Sequence, residues 1–422
     1  YAAAVEVSVG RMFLAGVLPG LLAGLMLGAA LLLPLALDAA LRLGAKGARG
    51  PVGDWFWADL RAQLSSLSLA QMALLLALAA NIGVGTMVSS FRLTFTGWLD
   101  QRLAAELYVT ARSDAQGAAL AEWLVPRTEA VLPIRSSRFD LAGAPAEVYG
   151  IKDHATYRDH WPLIAEGPRV WDRVAAGEAL LVNEQLARRA DLWPGARLAV
   201  TPDLSLPVAG VYSDYGNPQG QAILALDLLL ALDPETPNRQ FGIRVAPDRA
   251  EALAQEMRAA FDLPFRALVD QPAVKAQSLA IFDKTFVVTG ALNVLTLGVA
   301  GFAILTALLT LWSARLPQLA PVWALGLTRA RLARLELARS LALAGLTALF
   351  ALPLGLVLAW VLLAVINVEA FGWRLPMHLF PGDWLRLFAL ALIAAAAAAA
   401  LPALRLRRVP PSELLKVFAN ER

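Results

Sequence analysis

The chain of 422 residues has no cysteine, three histidines and five lysines. The lack of cysteine excludes disulfides, cysteine-ligated metals and thiol catalysis. None of the lysines stands in a G-x-x-x-x-G-K-[ST] pattern, so the chain has no P-loop for ATP. The scarcity of histidine and the absence of G-x-S-x-G argue against a hydrolytic triad. From the residues we expect no enzyme centre, no metal site and no cofactor bound by this chain.

Charge is also scarce. Only 17% of the residues are charged and 58% are hydrophobic, with a mean hydropathy of +0.56, whereas about a quarter of a soluble domain is charged. The apolar residues concentrate in windows longer than the roughly 18 residues that mark a membrane span. Residues 96–276 read instead as a globular domain, long enough for its own core. The predicted fold class is a membrane α-helical bundle of about five transmembrane helices with an inserted α+β domain.

The hydropathy profile divides the chain into successive segments. They are an extra transmembrane helix (1–44), a linker with an interfacial elbow helix (45–68), a transmembrane helix (69–95), the α+β domain (96–276), a stalk and transmembrane helix (277–313), a short helix (314–335), a transmembrane helix (336–367), a loop (368–382), a transmembrane helix (383–405) and a tail (406–422). The elbow helix is predicted from Trp55 and Trp57, because indole rings prefer the headgroup level.

Strand and helix patterns alternate within the inserted domain. "AELYVTAR" (105–112) and "AEVYGI" (146–151) alternate as strands do. "GEALLVNEQLARRADLWPGARLAV" predicts a strand, a helix, a turn and a strand, and "LPVAGVYSDYGNPQGQAILAL" predicts two strands around a loop. "RAEALAQEMRAAFDL" predicts an amphipathic helix after the strand "FGIRVAP".

Arginine and lysine gather at three borders of the predicted spans. They are Arg42, Lys46, Arg49, Arg315, Arg329, Arg331, Arg334, Arg339, Arg405, Arg407, Arg408 and Lys416. The positive-inside rule places these borders in the cytoplasm, and five alternating spans then place 96–276 and 368–382 on the outer side. The basic residues form no patch interleaved with aromatics, so nucleic acid is not an expected partner, whereas the lipid bilayer is.

The predicted spans carry small residues and amides but no interior acid in the second to fifth. Transporters driven by ions commonly use such acids, so this class is disfavoured and a partner is expected to supply the energy for transport. The small residues and amides predict close packing of spans two, three and five, with a substrate-binding amide as the alternative. The candidate packing residues are Asn81, Gly83, Gly85, Gly290, Asn293, Gly298 and Gly301.

The basic stretch between spans three and four, "SARLPQLAPVWALGLTRARLARLELARS", also has an apolar short helix. Gly326 is predicted to end it and Thr328 to cap the helix that follows. A loop that only obeys the positive-inside rule needs no Trp323 or Leu325, so we predict a docking surface for a soluble partner, with a helix lying on lipid as the alternative. The candidate residues are Arg315, Pro317, Leu319, Val322, Trp323, Leu325, Gly326 and Thr328.

Two histidines stand close together in "KDHATYRDHW". His154, Asp159 and His160 would in principle ligate a metal or act in acid–base chemistry. Their spacing on a loop matches no zinc pattern, so we favour solvated surface residues.

Four stretches resemble the FtsX-like permeases of bacterial ABC transporters, of the MacB and lipoprotein-releasing type, over roughly 68–416. "RLPQLAPVWALGLTRARL" resembles the family's segment R-x-x-E-x-x-x-x-x-A-x-G-x-(S/T). "GEALLVNEQLARRADLWPGARLAV" with "LPVAGVYSDYGNPQG" resembles its outer domain, "SLAIFDKTFVVTGALNVLTLGVAGFAIL" its stalk, and "LRLRRVPPSELLK" its Pro-containing end. Gln318 or Leu319 stands where members commonly carry an acid, so a smaller ionic contribution to docking is expected.

The resemblance implies a permease subunit in the bacterial cytoplasmic (inner) membrane, with 96–276 in the periplasm. A partner ABC ATPase, acting as a dimer, would bind ATP and magnesium and dock beneath 317–326 and the tail. Its motion would pass along spans two and three to extract or export an amphipathic substrate such as a lipid, lipoprotein, peptide or drug. The extra span at 1–44 fits larger permeases with two FtsX-like halves, so we expect this chain to be the second half, partnered by a first half or a homologous permease.

Two alternatives stay open. The first is a mechanotransmitter coupled to the same ATPase that regulates a periplasmic hydrolase or senses envelope-active peptides through a periplasmic partner protein. The second is a membrane scaffold or receptor that works without an ATPase.

Overall fold

The computed structural model describes residues 9–215, 217–408 and 410; the side chains of 9–19, 265, 272–274, 277–279, 281–289, 293 and 312–317 are not described. The described chain divides into two compact units. The helical unit contains the chain up to Ser90, Phe286–Ile366 and the chain from Pro376 onward. The sheet unit contains Phe91–Thr285 and Asn367–Leu375.

In the described part of the chain, seven helices lie wholly or partly in the helical unit. They are α1 (Val9–Ala45), α2 (Gly50–Ala62), α3 (Leu64–Arg102), α10 (Gln271–Thr310), α11 (Trp312–Ala324), α12 (Arg329–Val361) and α14 (Pro381–Arg408). Five stretches of the described chain are long and apolar enough to cross a membrane: Gly20–Ala45, Leu64–Arg102, Gly290–Thr310, Arg329–Phe371 and Pro381–Arg408. The predicted spans therefore coincide with helices.

Small side chains let α12 and α14 pack closely along most of their length. Ala391, Ala395 and Ala398 recur at helical spacing on α14 and are buried in one core with Ala344 and Ala348 of α12. One face of α14 has alanines in place of large residues because their small methyl groups allow the axes of the two helices to approach closely.

The end of α12 departs from α-helical geometry. Leu362–Ile366 forms a π-helical segment, and the short helix α13 (Asn367–Phe371) follows it. Gly372 then takes a positive φ of 77° and ends the helix. π-segments inside long helices are rare and costly, so they mark positions where another constraint outweighs regular hydrogen bonding.

The sheet unit is built on ten strands. They are β1 (Leu107–Thr110), β2 (Ala130–Leu141), β3 (Ala144–Ile151), β4 (Leu163–Glu166), β5 (Leu180–Asn183), β6 (Arg197–Thr201), β7 (Leu204–Tyr212), β8 (Gly220–Ala225), β9 (Gln240–Arg244) and β10 (Leu268–Asp270). They form a mixed sheet in the order β10-β1-β9-β2-β3-β8-β5-β7-β4, with β6 paired to β7.

Strand β2 joins two parts of this sheet. Its first half, Ala130–Ile134, pairs with β9, and its second half, from Arg135 to Leu141, pairs with β3. Each part has a separate hydrophobic core, one around Leu107 and Ile243, the other around Val182 and Val208. The partner change at Ile134 therefore lies between two separately packed lobes.

Six helices of the described sheet unit stand between its strands in the chain. They are α4 (Asp114–Leu124), α5 (Ala155–His160), α6 (Val170–Ala175), α7 (Glu184–Ala190), α8 (Leu226–Leu232) and α9 (Ala250–Phe261). The predicted order of strand, helix, turn and strand is confirmed by β5, α7 and β6, and the predicted amphipathic helix by α9. The strands predicted around the Gly/Pro/Asn loop are β7 and β8.

The predicted loop 368–382 is divided between the two units. Residues 367–375 group with the sheet unit, and residues from Pro376 onward group with the helical unit. Within the sheet unit, Trp373 is only 4% exposed. A segment that hydropathy marks as a plain connection is thus anchored by a buried aromatic ring.

Candidate functional site

The turn after α11 has the local structure that its sequence predicts. The N–H of Gly326 donates to the Trp323 carbonyl at 2.9 Å, and Gly326 takes a φ of +104°, which only glycine adopts without strain. Thr328 then caps α12, because its hydroxyl accepts from the N–H of Arg331 at 3.3 Å. The predicted ending at Gly326 and cap at Thr328 are confirmed.

The helix before this turn is fastened to the helical unit by a small core. Leu319 is 2% exposed and packs with Leu332, Ala333, Ala403 and Leu406. Leu319 was predicted as a docking residue, but burial leaves it no surface for a partner, so in this structure it anchors the helix. The side chains of Arg315 and Pro317 lie outside those that the structure describes.

The other apolar residues of this stretch differ in exposure. Val322 and Trp323 are partly buried against the same core, which also includes Trp55 of α2, whereas Leu325 is 84% exposed. Exposed arginines stand at the ends of the two helices that share the core: Arg331, Arg334, Arg405, Arg407 and Arg408. The arrangement is an exposed leucine on a turn held by the Gly326 hydrogen bond and the Thr328 cap, with cations on the adjoining helix ends.

A buried ionic cluster, missed at the level of sequence, lies on α2 and α12. Arg339 is 2% exposed and donates to Asp59 at 2.8 Å and to Glu336 on its own helix. Arg339 was predicted as part of a basic border, and Glu336 was not singled out. The correction is physical: one of the two carboxylates that compensate the arginine, that of Asp59, is 280 positions away in sequence, beyond the reach of local patterns.

Close helix packing occurs at some of the predicted small residues. A Cβ on Gly83 would lie 2.5 Å from Leu358, and one on Gly301 would lie 3.3 Å from Ala394. Asn81 is buried and accepts from the Thr296 hydroxyl at 3.1 Å, which links α3 to α10. The Asn293 side chain is not described.

Other predicted packing residues have no such neighbour. A Cβ on Gly85, Gly290 or Gly298 would meet nothing within 4 Å, so these glycines do not serve close packing within the described chain. A glycine that sequence analysis did not single out has the tighter contact. A Cβ on Gly355 would lie 2.7 Å from Ile82 and 2.9 Å from the carbonyl oxygen of Ala79. Span four, rather than span five, is therefore the close partner of span two at this level.

Five aromatic side chains form a closed ring in the sheet unit. They follow the order Phe91, Phe95, Trp98, Tyr215 and Trp373, with neighbouring ring centroids 5.3–6.2 Å apart. Edge and offset contacts of this kind add to apolar burial. The ring joins the last turns of α3 to the loop after β7 and to the segment 367–375.

Hydrogen bonds reinforce the same junction. The Trp98 indole donates to the Ser213 carbonyl at 3.0 Å, and the Arg374 N–H donates to the buried Glu184 carboxylate at 3.0 Å. Glu184 is also paired with Arg188 at 2.7 Å. This cluster, which we call the aromatic junction (Phe91, Phe95, Trp98, Tyr215 and Trp373), fixes the end of α3 on the sheet.

A cavity of about 320 Å³ opens beside the aromatic junction. Its walls come from the last turn of α3, from β2 near Ile134, from the end of β3 and from α5. Burial raises the pKa of the Tyr157 phenol, and burial with the nearby Glu147 carboxylate raises the pKa of Tyr149. Both phenols are therefore neutral at any physiological pH.

His154 has a structural role. Its Nδ1 accepts from the N–H of Thr156 at 3.1 Å and caps α5. No group of three or more metal-ligating side chains occurs in the described part of the chain. The Nδ1 atom of His154 is thus already engaged in a hydrogen bond that caps α5.

The comparisons with known proteins concern both units. Residues 290–411 match the model of the FtsX-like permease C-terminal family. An uncharacterised ABC transporter permease protein of Mycobacterium tuberculosis is 29% identical over 398 residues, which is 89% of this chain and 46% of that protein. The resemblance to FtsX-like permeases is confirmed. The chain spans about half the length of this curated permease.

Two solved structures are similar to part of the chain. The periplasmic region of MacB from Actinobacillus actinomycetemcomitans is 12% identical, with a TM-score of 0.31, over 41% of this chain and 91% of that one. The extracellular domain of the noncanonic ABC-type transporter YknZ from Gram-positive bacteria is 9% identical, with a TM-score of 0.29, over 39% and 98%.

Proposed function

We propose that the chain is the permease subunit of an ABC-type transporter and that a separate ATPase docks on the turn at Leu325. The FtsX-like match includes α11, α12 and α14, which contribute most of the core beneath that turn. The match with an ABC transporter permease of Mycobacterium tuberculosis supports the same class of protein. ATP and magnesium are bound by the partner, and this chain contributes no catalytic group.

The observation that carries the docking proposal is the contrast between Leu319 and Leu325. Leu319 is buried and holds α11 in place, while Leu325 is 84% exposed on a turn fixed by Gly326 and Thr328. An exposed apolar side chain on a rigid support costs little ordering entropy when a partner covers it. The arginines at the adjoining helix ends favour a partner whose docking cleft has an acidic rim.

In the proposed mechanism, closure of the ATPase dimer moves this turn and thereby α12, which carries Arg339 and Gly355. Those residues contact α2 and α3, so the movement reaches α3. The end of α3 is held on the sheet by the aromatic junction. The sheet unit lies on the periplasmic side of the inner membrane, and the motion extracts or exports an amphipathic molecule.

The test is purification from native membranes in a mild detergent, followed by mass spectrometry and an ATPase assay. We expect a subunit with a P-loop at a stoichiometric level. Leu325→Glu removes an exposed anchor of the kind worth about 2 kcal/mol, which is about a thirtyfold loss of affinity. The control is Val125→Glu, because Val125 is 67% exposed in the sheet unit. Retention of the ATPase by Leu325→Glu would refute the docking surface.

A regulatory output is the second candidate, and the aromatic junction is the observation that favours it. The junction holds α3 and the segment 367–375 on the sheet. Movement of α3 driven by the ATPase can therefore change the sheet unit, and a protein bound to it, without transport of any molecule. In that case a periplasmic hydrolase bound to the sheet unit gains activity only when the ATPase turns over. Export of an amphipathic molecule would then be absent in the same reconstituted membranes.

A further inference from the structure

We propose that the cavity of the sheet unit binds a single-chain anionic amphipath, with its hydrocarbon chain between the two lobes and its acidic head group on Arg102. This inference deepens the proposed function, on which it rests, by naming the class of substrate and its site.

The walls of the cavity are suited to a hydrocarbon chain. Leu103, Ile134 and Ile151 line it and are only partly buried. The aromatic faces of Tyr157 and Trp161 complete the wall. Its volume of about 320 Å³ is near the lower end of the range of roughly 300–1,000 Å³ for small-molecule sites. It therefore suits one chain rather than two.

Arg102 is the one charged residue among those that line the cavity. Its side chain is 23% exposed, and its guanidinium lies 4.5 Å from the centre of the Trp161 ring. A guanidinium that stacks on an aromatic face keeps its N–H groups available at the edges. Arg102 is thus held in place by packing.

Among the described residues, the Arg102 guanidinium has one carboxylate partner and no closer hydrogen-bond acceptor. Its ion pair with Asp214 is long, at 3.6 Å from Nη2 to Oδ1. The other oxygen of Asp214, Oδ2, accepts from the Asn217 amide at 2.8 Å. A guanidinium has five N–H donors in a fork that fits a carboxylate or a phosphate. An anionic head group at the cavity mouth would satisfy donors that the described residues leave open.

The position of the cavity links its occupant to the rest of the chain. The cavity lies where β2 changes partner, between two lobes with separate cores, and one wall is the last turn of α3. A ligand that contacts both lobes and α3 has different contacts when α3 moves, so its affinity depends on the position of that helix. By linkage, the ligand then biases the same movement.

The experiment uses the full chain with its co-purified subunits in nanodiscs of phosphatidylcholine. The probe is palmitic acid with a diazirine in its chain, and the neutral counterpart is the matching hexadecanol. After irradiation, labelled peptides are mapped by mass spectrometry. We expect the acid to label peptides with Tyr157 or Ile134 and to bind about tenfold better than the alcohol, which is the size of a charge-assisted hydrogen bond.

Four variants separate the site of the hydrocarbon chain from the site of the head group. Ile134→Trp fills the cavity and is expected to abolish labelling, whereas Ile164→Trp, on β4 and 46% exposed, is the matched control and keeps it. Arg102→Gln is expected to lower the affinity of the acid to that of the alcohol, and Arg102→Lys to restore part of the difference. Thermal melting of each variant confirms that the sheet unit is folded.

Competition identifies the source of the head group. Lysophosphatidic acid, with one chain, is expected to displace the probe, and phosphatidic acid, with two, is not. Labelling outside the cavity, or equal labelling of Ile134→Trp and Ile164→Trp, would overturn the proposal. If Leu325 governs ATPase binding but the cavity takes no probe, this inference falls and the proposed function stands. If the probe binds but no ATPase is found, the proposed function falls.

Discussion

The guanidinium of Arg339 lies 2.8 Å from the carboxylate of Asp59. Arg339 is on the long helix α12, and Asp59 is on α2, the elbow helix. Breaking a buried pair by removing one partner leaves a charge without compensation and costs about 3–5 kcal/mol. This contact therefore fastens the elbow helix to the helix that carries the docking turn.

Arg339→Met is expected to lower the midpoint of thermal aggregation in detergent by several degrees. Arg334→Met is the control, because Arg334 is exposed on the same helix and surface changes are usually within about 0.5 kcal/mol. Equal midpoints for the two variants would show that the ion pair contributes nothing to stability.

Gly355→Ala is expected to destabilise the helical unit. The new Cβ would lie 2.7 Å from Ile82 and 2.9 Å from the Ala79 carbonyl oxygen, and overpacking of this kind costs about 1–3 kcal/mol. Gly345→Ala is the control on the same helix, since its Cβ would be 3.8 Å from its neighbours. There alanine improves helix propensity by up to about 1 kcal/mol. The aggregation midpoint should fall for the first variant and rise for the second.

Trp373→Ala is expected to release the segment 367–375 from the sheet. Trp373 is 4% exposed and contacts Phe91 and Tyr215, and truncation of a buried tryptophan costs about 3–5 kcal/mol. Hydrogen exchange at Gly372 and Arg374 should accelerate. Phe371→Ala, at a residue that is 54% exposed, should change it far less. Unchanged exchange in Trp373→Ala would mean that backbone hydrogen bonds alone hold the segment.

Thr328→Ala is expected to weaken ATPase binding without unfolding the chain. The hydroxyl caps α12 at the docking turn, and loss of such a cap costs about 1 kcal/mol. Thr328→Ser retains the oxygen and should retain the ATPase. Binding is compared by titrating the purified ATPase against each variant in nanodiscs. A serine variant as weak as the alanine variant would exclude capping as the cause.

Local features were predictable from sequence because short-range physics determines them. The apolar runs predict the five long helices, and the glycine and threonine rules place the turn at Gly326 and the cap at Thr328. The order of β5, α7 and β6 follows from alternation and from the Trp193-Pro194-Gly195 turn. In each case the decisive residues lie within a few positions of one another.

Long-range features were not predictable because their causes lie far apart in the chain. From sequence, Arg339 is predicted to be a border arginine, but in the structure it pairs with Asp59. Leu319 is predicted to be a docking residue, but in the structure it packs against Leu406. The change of paired strand along β2, from β9 to β3, does not alter the alternation of polar and apolar residues in its sequence. The cavity beside Ile134 was therefore not predictable. Gly85 and Gly355 look alike in sequence, and only the neighbouring helix distinguishes them.

The π-helical segment Leu362–Ile366 sets the rotation of the chain that follows it. Each residue of an α-helix turns the chain by about 100°, and a π-turn holds one residue more than an α-turn. Removal of a single residue from this segment would let the helix rewind to regular geometry. The last residues of the segment would then be carried about 100° around the axis of α12. The number of residues here, more than their chemistry, thus determines the rotational position at which this long helix ends.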